Sequence, residues 1–392
     1  TGLSSRAVSS GSHPIPKAPI AMRIVPIVPG MTARIAKSSQ VSPLTGVEAG
    51  LSAGSRAGGI RAGGSADTRL SVPLPTSRVR PQRHDREEGY VGRRAHDAAG
   101  ITDPALRSSY LACQKVNAAH GKTYYLATLL LPPAKRPYVH ALYAFARYAD
   151  EIVDSIGAKS TNDRSVALAE LSQRFFADLD RGTSAHPICA ATVDTVRRWD
   201  IPTEYFEAFI ESMQMDLTID HYDTYADLDK YVYGSAAVIG LQMIPILEPT
   251  DDAAYAYARD LGAAFQLANF IRDVGEDLER NRIYLPLDEL AQFGVSPDDV
   301  RARKVTDNFR AAMAFQIARV RDLEASSRPG IAMLSPESQP CIETARILYC
   351  GIVDEVEKID YQVFDKRATV PLRRRLAVAI PAWREARRAR HR

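Results

Sequence analysis

Two short acidic runs constrain this chain more than anything else in it. One is Arg147-Tyr148-Ala149-Asp150-Glu151-Ile152-Val153-Asp154. The other is Gln266-Leu267-Ala268-Asn269-Phe270-Ile271-Arg272-Asp273-Val274-Gly275-Glu276-Asp277. Each holds two aspartates four residues apart, so on a helix both carboxylates leave from one face. Like charges at that spacing repel and weaken a bare helix. A chain that does this twice amid apolar sequence needs something to neutralise the charge. Divalent metal holding phosphates is the natural candidate, because Mg²⁺ prefers hard oxygen donors and shares its shell with substrate phosphates.

Each run extends into a longer row. Tyr143, Arg147, Asp150 and Asp154 follow one another at helical spacing and form one face. Arginine matches phosphate with its planar fork, while carboxylates hold metal. That row alone also reads as a solvated face with a surface ion pair from Arg147. The second row, Gln266, Asn269, Asp273 and Asp277, matches it in kind and favours a ligand over bulk water. Amide and carboxylate oxygens together suit Mg²⁺. Arg272 stands beside that row, and Glu151 points away from the first one. Gly275, inside a helical pattern, costs about 1 kcal/mol against alanine, which predicts close approach by a neighbour or a ligand.

From Ile101 onward the pattern is helical almost everywhere, with no strand signal and no internal repeat. Asp103-Pro104 and Ser296-Pro297 each read as an N-cap followed by proline in the first turn. The periodicity predicts helices over Tyr110–Ala119, Lys122–Leu131, Arg136–Ile156 (closed by Gly157), Arg164–Leu179, Ala190–Trp199 and Thr203–Met215. Further helices are predicted over Leu228–Ile246, Asp251–Tyr284, Pro297–Ser326, Pro340–Lys366 and Leu372–Arg390. The fold class is therefore all-α, a helical bundle with its site between facing helices. No stretch reaches the uninterrupted apolar length of a membrane span. The most apolar window, Ala236–Leu247, reads as a buried helix.

Residues 1–99 differ. They are rich in Ser, Gly, Pro, Ala and Arg, and too poor in apolar groups to offset chain entropy, so a disordered extension is expected before a domain over 100–392. The extension also has the Arg- and Ser-rich, acid-poor character of a transit peptide. The net charge of +3 over 392 residues does not argue for nucleic acid. Four scattered cysteines exclude a disulfide framework or zinc site and fit a reduced, cytoplasmic setting. The arginines of the last helix (Arg373, Arg374, Arg375, Arg384, Arg387, Arg388, Arg390) fit either a solvated face or peripheral contact with an anionic membrane.

The two acidic motifs, the segment His120-Gly121-Lys122-Thr123-Tyr124-Tyr125-Leu126-Ala127 and the run Arg282-Ile283-Tyr284-Leu285-Pro286 together resemble the squalene/phytoene synthase family. The likeness spans about Ala105 to Val370, and the forms DEIVD and DVGED look closest to its bacterial phytoene-forming members. The resemblance implies an isoprenoid-synthase bundle with a central cavity. It also implies head-to-head joining of two geranylgeranyl diphosphates, through a cyclopropyl diphosphate, to phytoene. The alternatives are a squalene- or dehydrosqualene-forming enzyme acting on farnesyl diphosphate, and a non-catalytic assembly protein on the same fold.

By position, Asp150, Asp154, Asn269, Asp273 and Asp277 resemble the family's metal set, for Mg²⁺ or Mn²⁺. His120, Gly121, Lys122, Thr123, Tyr143, Arg147, Gln266, Arg272 and Tyr349 resemble its diphosphate and substrate contacts. The aspartates, Tyr143 and Arg147 are then the catalytic candidates, and no NADPH is expected for phytoene formation. Leu228–Ile246 and Phe265 are expected to wall a dry cavity around an allylic cation, with the rings of Tyr143, Tyr233 and Tyr349 available to it. His120 would either touch phosphate or cap the helix after it. Gly121 and Thr123 stand where some relatives have serines, and Lys366-Arg367 where relatives often have two arginines.

Overall fold

The predicted pattern becomes helices joined by short turns. The computed structural model describes residues 94–154 and 160–390. The expected extension over 1–93 and the Gly157 stop lie outside these residues. Residues 94–99 do not fit the extension: a helical turn, α1 (94–98), buries Ala95, His96 and Ala99. A short alanine cluster was hidden there by the averaged composition around it.

α2 (Pro104–His120) starts as expected, with the Asp103 carboxylate accepting from Ala105 N at 2.9 Å. α3 (Lys122–Thr128) stops three residues before the predicted end. α4 (Arg136–Asp154) carries the first acidic row. α5 (Thr161–Arg181), α6 (Pro187–Trp199) and α7 (Glu204–Thr218) follow.

The next run is α8 (Tyr225–Val232), a π-helical turn (Tyr233–Ala237) and α9 (Val238–Leu247). Taken together, Tyr225–Leu247 is long and apolar enough to pass a membrane-span test, contrary to the expectation from shorter windows. It is nonetheless a core helix: Leu228, Val232, Val238 and Ile246 are at most 1% exposed. The small residues Gly234, Ser235, Ala236 and Ala237 build the π turn, a distortion often found at functional sites.

α10 (Ala254–Glu279) carries the second row. It ends five residues before Tyr284, because Asn281 adopts φ 56° and Ile283 N bonds back to Asp220 O at 2.8 Å. A short helix the pattern did not show, α11 (Leu287–Gln292), follows. The predicted Pro297–Ser326 helix is two: α12 (Pro297–Arg301) and α13 (Asp307–Ile331). Arg303 at φ 54° turns the chain, and Thr306 caps the second piece, its hydroxyl accepting from Phe309 N. Pro340–Lys366 likewise divides at Gly351 into α14 (Gln339–Cys350) and α15 (Ile352–Lys358). The last helix is α16 (Leu372–Ala389).

Among the described residues there is no strand, and the only β pairings are two isolated bridges. α10 packs against α9, α13, α14 and α15. Gly275 explains one of these contacts: a Cβ there would lie 2.4 Å from Phe364 O. The close approach predicted for this glycine is therefore by a neighbouring backbone segment.

Candidate active site

The two rows face one cavity. From α4 come Tyr143, Arg147, Asp150 and Asp154; from α10 come Gln266, Asn269, Asp273 and Asp277. All eight line a polar cavity of about 730 Å³. His120, Gly121 and Thr123 reach it from the α2–α3 junction, Arg272 from α10 and Tyr349 from α14. The Lys122 side chain lies outside the described residues. α3 begins with no side-chain cap, so the capping role considered for His120 is not what the structure shows.

In this structure arginines neutralise the paired carboxylates. Arg147 donates to Asp150 at 2.9 Å and to Glu151 at 3.0 Å. Arg272 grips both oxygens of Asp273, at 2.7 Å through its Nε. Arg367 lies 3.1 Å from Asp273 and 3.3 Å from Glu276. Arg280 and Arg282 stand 3.6 and 3.9 Å from Asp154. Arg282 is also tied to Asp216 O and Tyr284 OH, whereas the polar side-chain contacts of Arg147, Arg272, Arg280 and Arg367 among the described residues are to carboxylates that an anion could replace. Of the Lys366-Arg367 pair, Arg367 lines the cavity and Lys366 does not.

Asp277 is the exception. It is buried, and none of the ion pairs among the described residues includes it. Burial first, then the charge of Asp273, pushes its carboxyl up to about 8 against the pull of Arg280 and Arg282. Asp150 is pushed up to about 6, again by burial and then by Asp154. Asn269 Oδ1 is buried with no hydrogen-bond partner. Asn269 and Asp277 both stand on the face of α10 that lines the cavity, and an unpartnered amide oxygen and a carboxylate are oxygen donors of the kind a hard cation takes. Among the described residues no three His, Cys, Asp or Glu side chains are placed to hold a metal ion on their own. A partial donor set suits Mg²⁺, which takes the rest of its shell from water and phosphate. The residues present thus fit the ion.

Sequence reasoning missed a further carboxylate, Asp216 on α7, which lines the same cavity. It accepts from Tyr231 OH at 2.7 Å and Tyr284 OH at 2.9 Å, and Arg282 approaches to 3.8 Å. Burial holds its carboxyl above the usual range. The signal was there: Asp216 continues the face of Phe209 and Met213, both buried, and a charge in line with a core stripe calls for a partner. Arg280 carried no comparable signal, because it lies just past the end of α10, and Arg367 was marked only by the resemblance of the Lys366-Arg367 pair.

A second cavity, of about 250 Å³ and mostly apolar, adjoins the first. Tyr124, Tyr143 and Gln266 line both. At this junction the Tyr124 and Tyr349 rings lie 4.4 Å apart and Phe265 lies 4.9 Å from Tyr349. Burial pushes the Tyr124 phenol up to about 12, so it stays neutral. The predicted walls hold: Ser235, Ile239, Gly240 and Met243 from the π turn and α9, with Phe265, line the apolar cavity. Tyr233 does not. It lines neither cavity, and Arg259 lies over its ring at 5.7 Å.

Comparison with known proteins agrees with this geometry. The family model for squalene/phytoene synthase matches residues 117–374. The chain is 39% identical to phytoene synthase 1 of Arabidopsis thaliana over 282 residues, covering 70% of this chain and 66% of that one. It is 38% identical to phytoene synthase of Arthrospira platensis over 283 residues, covering 68% of this chain and 90% of that one. The crystal structure of a squalene synthase from Alicyclobacillus acidocaldarius superposes with a TM-score of 0.62 at 27% identity, covering 67% of this chain and 98% of that one. With a matched domain, relatives of this similarity and both acidic rows in one cavity, the chain belongs to the squalene/phytoene synthase family.

Proposed function

We propose that this chain is a phytoene synthase of the 15-cis type. It is a prenyl transferase that joins two geranylgeranyl diphosphates head to head, passes through a cyclopropyl diphosphate and releases diphosphate. The observation that carries this is the junction at Tyr124, Tyr143 and Gln266, where a polar cavity lined by both acidic rows opens into an apolar one.

The division of labour follows from the residues. Arg147, Arg272, Arg280 and Arg367 supply fixed positive charge for diphosphate, each released from its carboxylate as phosphate arrives. Asp150, Asp154, Asn269, Asp273 and Asp277 would hold Mg²⁺, which when bound supplies Lewis-acid stabilisation of the leaving diphosphate. The apolar cavity takes the prenyl chain and keeps water from the allylic cation left by ionisation. The rings of Tyr124, Tyr143 and Tyr349 face that cation at the junction. A neutral Asp277 would become a ligand only on losing its proton, so the reading includes proton release on metal binding.

The same reading extends to α16. Leu372, Leu376, Ile380 and Trp383 form one exposed face, each about half exposed or more, flanked by the exposed Arg373, Arg384, Arg387 and Arg388. Three of the seven tail arginines are held by the protein itself. Arg374 pairs with Asp354 and Glu355, Arg375 bonds Val370 O, and Arg390 bonds Leu130 and Leu131 carbonyls. An exposed apolar stripe beside cations outside any ion pair among the described residues, one of them (Arg387) over the Trp383 ring, is the pattern of a helix lying in an anionic interface, here at a cytoplasmic membrane face, where so greasy a substrate and product would partition.

The test is to incubate purified protein with geranylgeranyl or farnesyl diphosphate, with and without Mg²⁺, and to separate the hydrocarbons. Metal-dependent phytoene from the longer substrate is expected. Preference for farnesyl diphosphate would move the chain to squalene-type chemistry, and no hydrocarbon from either would overturn the reading.

A further inference from the structure

α10 serves as a ruler along both cavities. It lines the polar one from Asp277 to Gln266 and the apolar one from Gln266 to Ala254. The second stretch spans twelve residue-to-residue steps, roughly 18 Å at about 1.5 Å per step. α9 runs antiparallel to it: a Cβ at Gly262 would sit 2.7 Å from Ala236 O, and one at Gly240 would sit 2.8 Å from Ala258 O. Leu247, the last residue of α9, therefore lies with Ala254 at the end farthest from the aspartates. Leu334, just after α13, also lines this cavity.

Behind that end sits Lys135, on the α3–α4 connection. Its side chain is only 4% exposed. The ammonium lies 2.7 Å from Glu248 and 3.5 Å from Glu337, and donates to Ser338 Oγ at 2.9 Å and Ser335 Oγ at 3.0 Å. Ser335 in turn bonds Leu247 O at 3.0 Å through its hydroxyl and Glu248 O at 2.9 Å through its amide. Pro249 bridges Leu334. Glu248 is held at φ 54°, a conformation a non-glycine residue adopts only when its surroundings impose it. A buried ammonium with this many acceptors gathers the chain ends that carry Leu247 and Leu334.

We propose that Lys135 is a positioning residue that holds the end wall of the apolar cavity, built by Leu247 and Leu334, and so sets the longest prenyl chain the enzyme accepts. The proposal rests on the phytoene synthase reading. It concerns chain length rather than the reaction, and Lys135 touches neither cavity.

Competing geranylgeranyl diphosphate against its homologue one isoprene unit longer tests it, using the full chain and the ratio of the two kcat/KM values. Leu334→Ala opens the wall without touching the lysine, and it should raise the relative use of the longer substrate by about tenfold or more. Lys135→Met should shift the ratio the same way, and Ser338→Ala should do so more weakly, which covers the case in which Lys135→Met does not fold. A general loss of stability would lower both rates and leave the ratio alone. An unchanged ratio in Lys135→Met that still turns over geranylgeranyl diphosphate overturns the role of Lys135. So does an unchanged ratio in Ser338→Ala if Lys135→Met does not fold. An unchanged ratio in Leu334→Ala overturns the wall. A wild-type protein inert toward every prenyl diphosphate overturns the phytoene synthase reading and this inference with it.

Discussion

The two acidic rows share spacing and residue types, yet they sit in different electrostatic settings. On α4, the Asp150 side chain is 42% exposed and is partnered by Arg147, itself a third exposed. On α10, Asp273 is 16% exposed between Arg272 and Arg367, and Asp277 is buried with no cation in ion-pair range among the described residues. The first row lies nearer solvent and its ion pair is the more easily exchanged, although the packed chain around Asp150 still desolvates it enough to raise its carboxyl. The second is deeper, and there burial holds a proton on Asp277. Identical helical spacing therefore says nothing about ionisation. Depth and the arrival of arginines from elsewhere decide it.

Removing a carboxylate from either row is expected to have the largest effect. Asp150→Ala and Asp273→Ala should each cost at least about a hundredfold in kcat, with far-ultraviolet circular dichroism unchanged. Full activity in either would break the symmetry of role assumed for the rows. Arg272→Lys should be next, because an ammonium cannot reproduce the fork on Asp273 or on phosphate. The loss of about 1.5–3 kcal/mol expected for a charged hydrogen bond should appear mainly in kcat/KM. A variant indistinguishable from wild type would show that Arg272 is only a counter-ion.

The contrast in depth also predicts a contrast in pH dependence. In metal-free protein, folded Asp277 keeps a proton between the ordinary carboxylate value of 3.8 and about 8, where the unfolded chain has released it. Stability contributed by this group should therefore fall as pH rises through that window. Asp277→Asn should flatten the fall measured by thermal melting, and added Mg²⁺ should oppose it in wild type alone. Asp150, pushed up only to about 6, should give a narrower window of the same sign. An identical pH profile in wild type and Asp277→Asn would show that Asp277 is ionised in the fold.

The smallest effect on catalysis is expected at α16. Leu376→Glu with Ile380→Glu should reduce co-sedimentation with anionic vesicles about tenfold or more, since each change removes an apolar contact and adds repulsion. Turnover of detergent-dispersed substrate should stay within about twofold, within the ±0.5 kcal/mol typical of surface substitutions. Equal vesicle binding by both proteins would leave α16 as a solvated helix.

What the sequence settled by itself was whatever repeats at short range. Helical periodicity carried the all-α class, the Asp103-Pro104 and Ser296-Pro297 helix starts, and the face shared by each row, because those depend on residues three or four apart. Where positive-φ turns at Asn281 and Arg303 or the Gly351 break interrupted the pattern, periodicity ran on too far, since one residue's backbone torsion leaves no mark on it. Repulsion within the rows predicted that something must neutralise them. Only the tertiary structure showed that arginines do so here, three of them (Arg280, Arg282 and Arg367) from outside the helices that carry the rows. Tyr233 and Asp216 make the same point in opposite directions: one has a cation-binding ring turned to Arg259, the other is a carboxylate drawn into the site from α7. Burial, ionisation and the meeting of a polar cavity with an apolar one are properties of the assembled helices, because each depends on groups far apart in the chain.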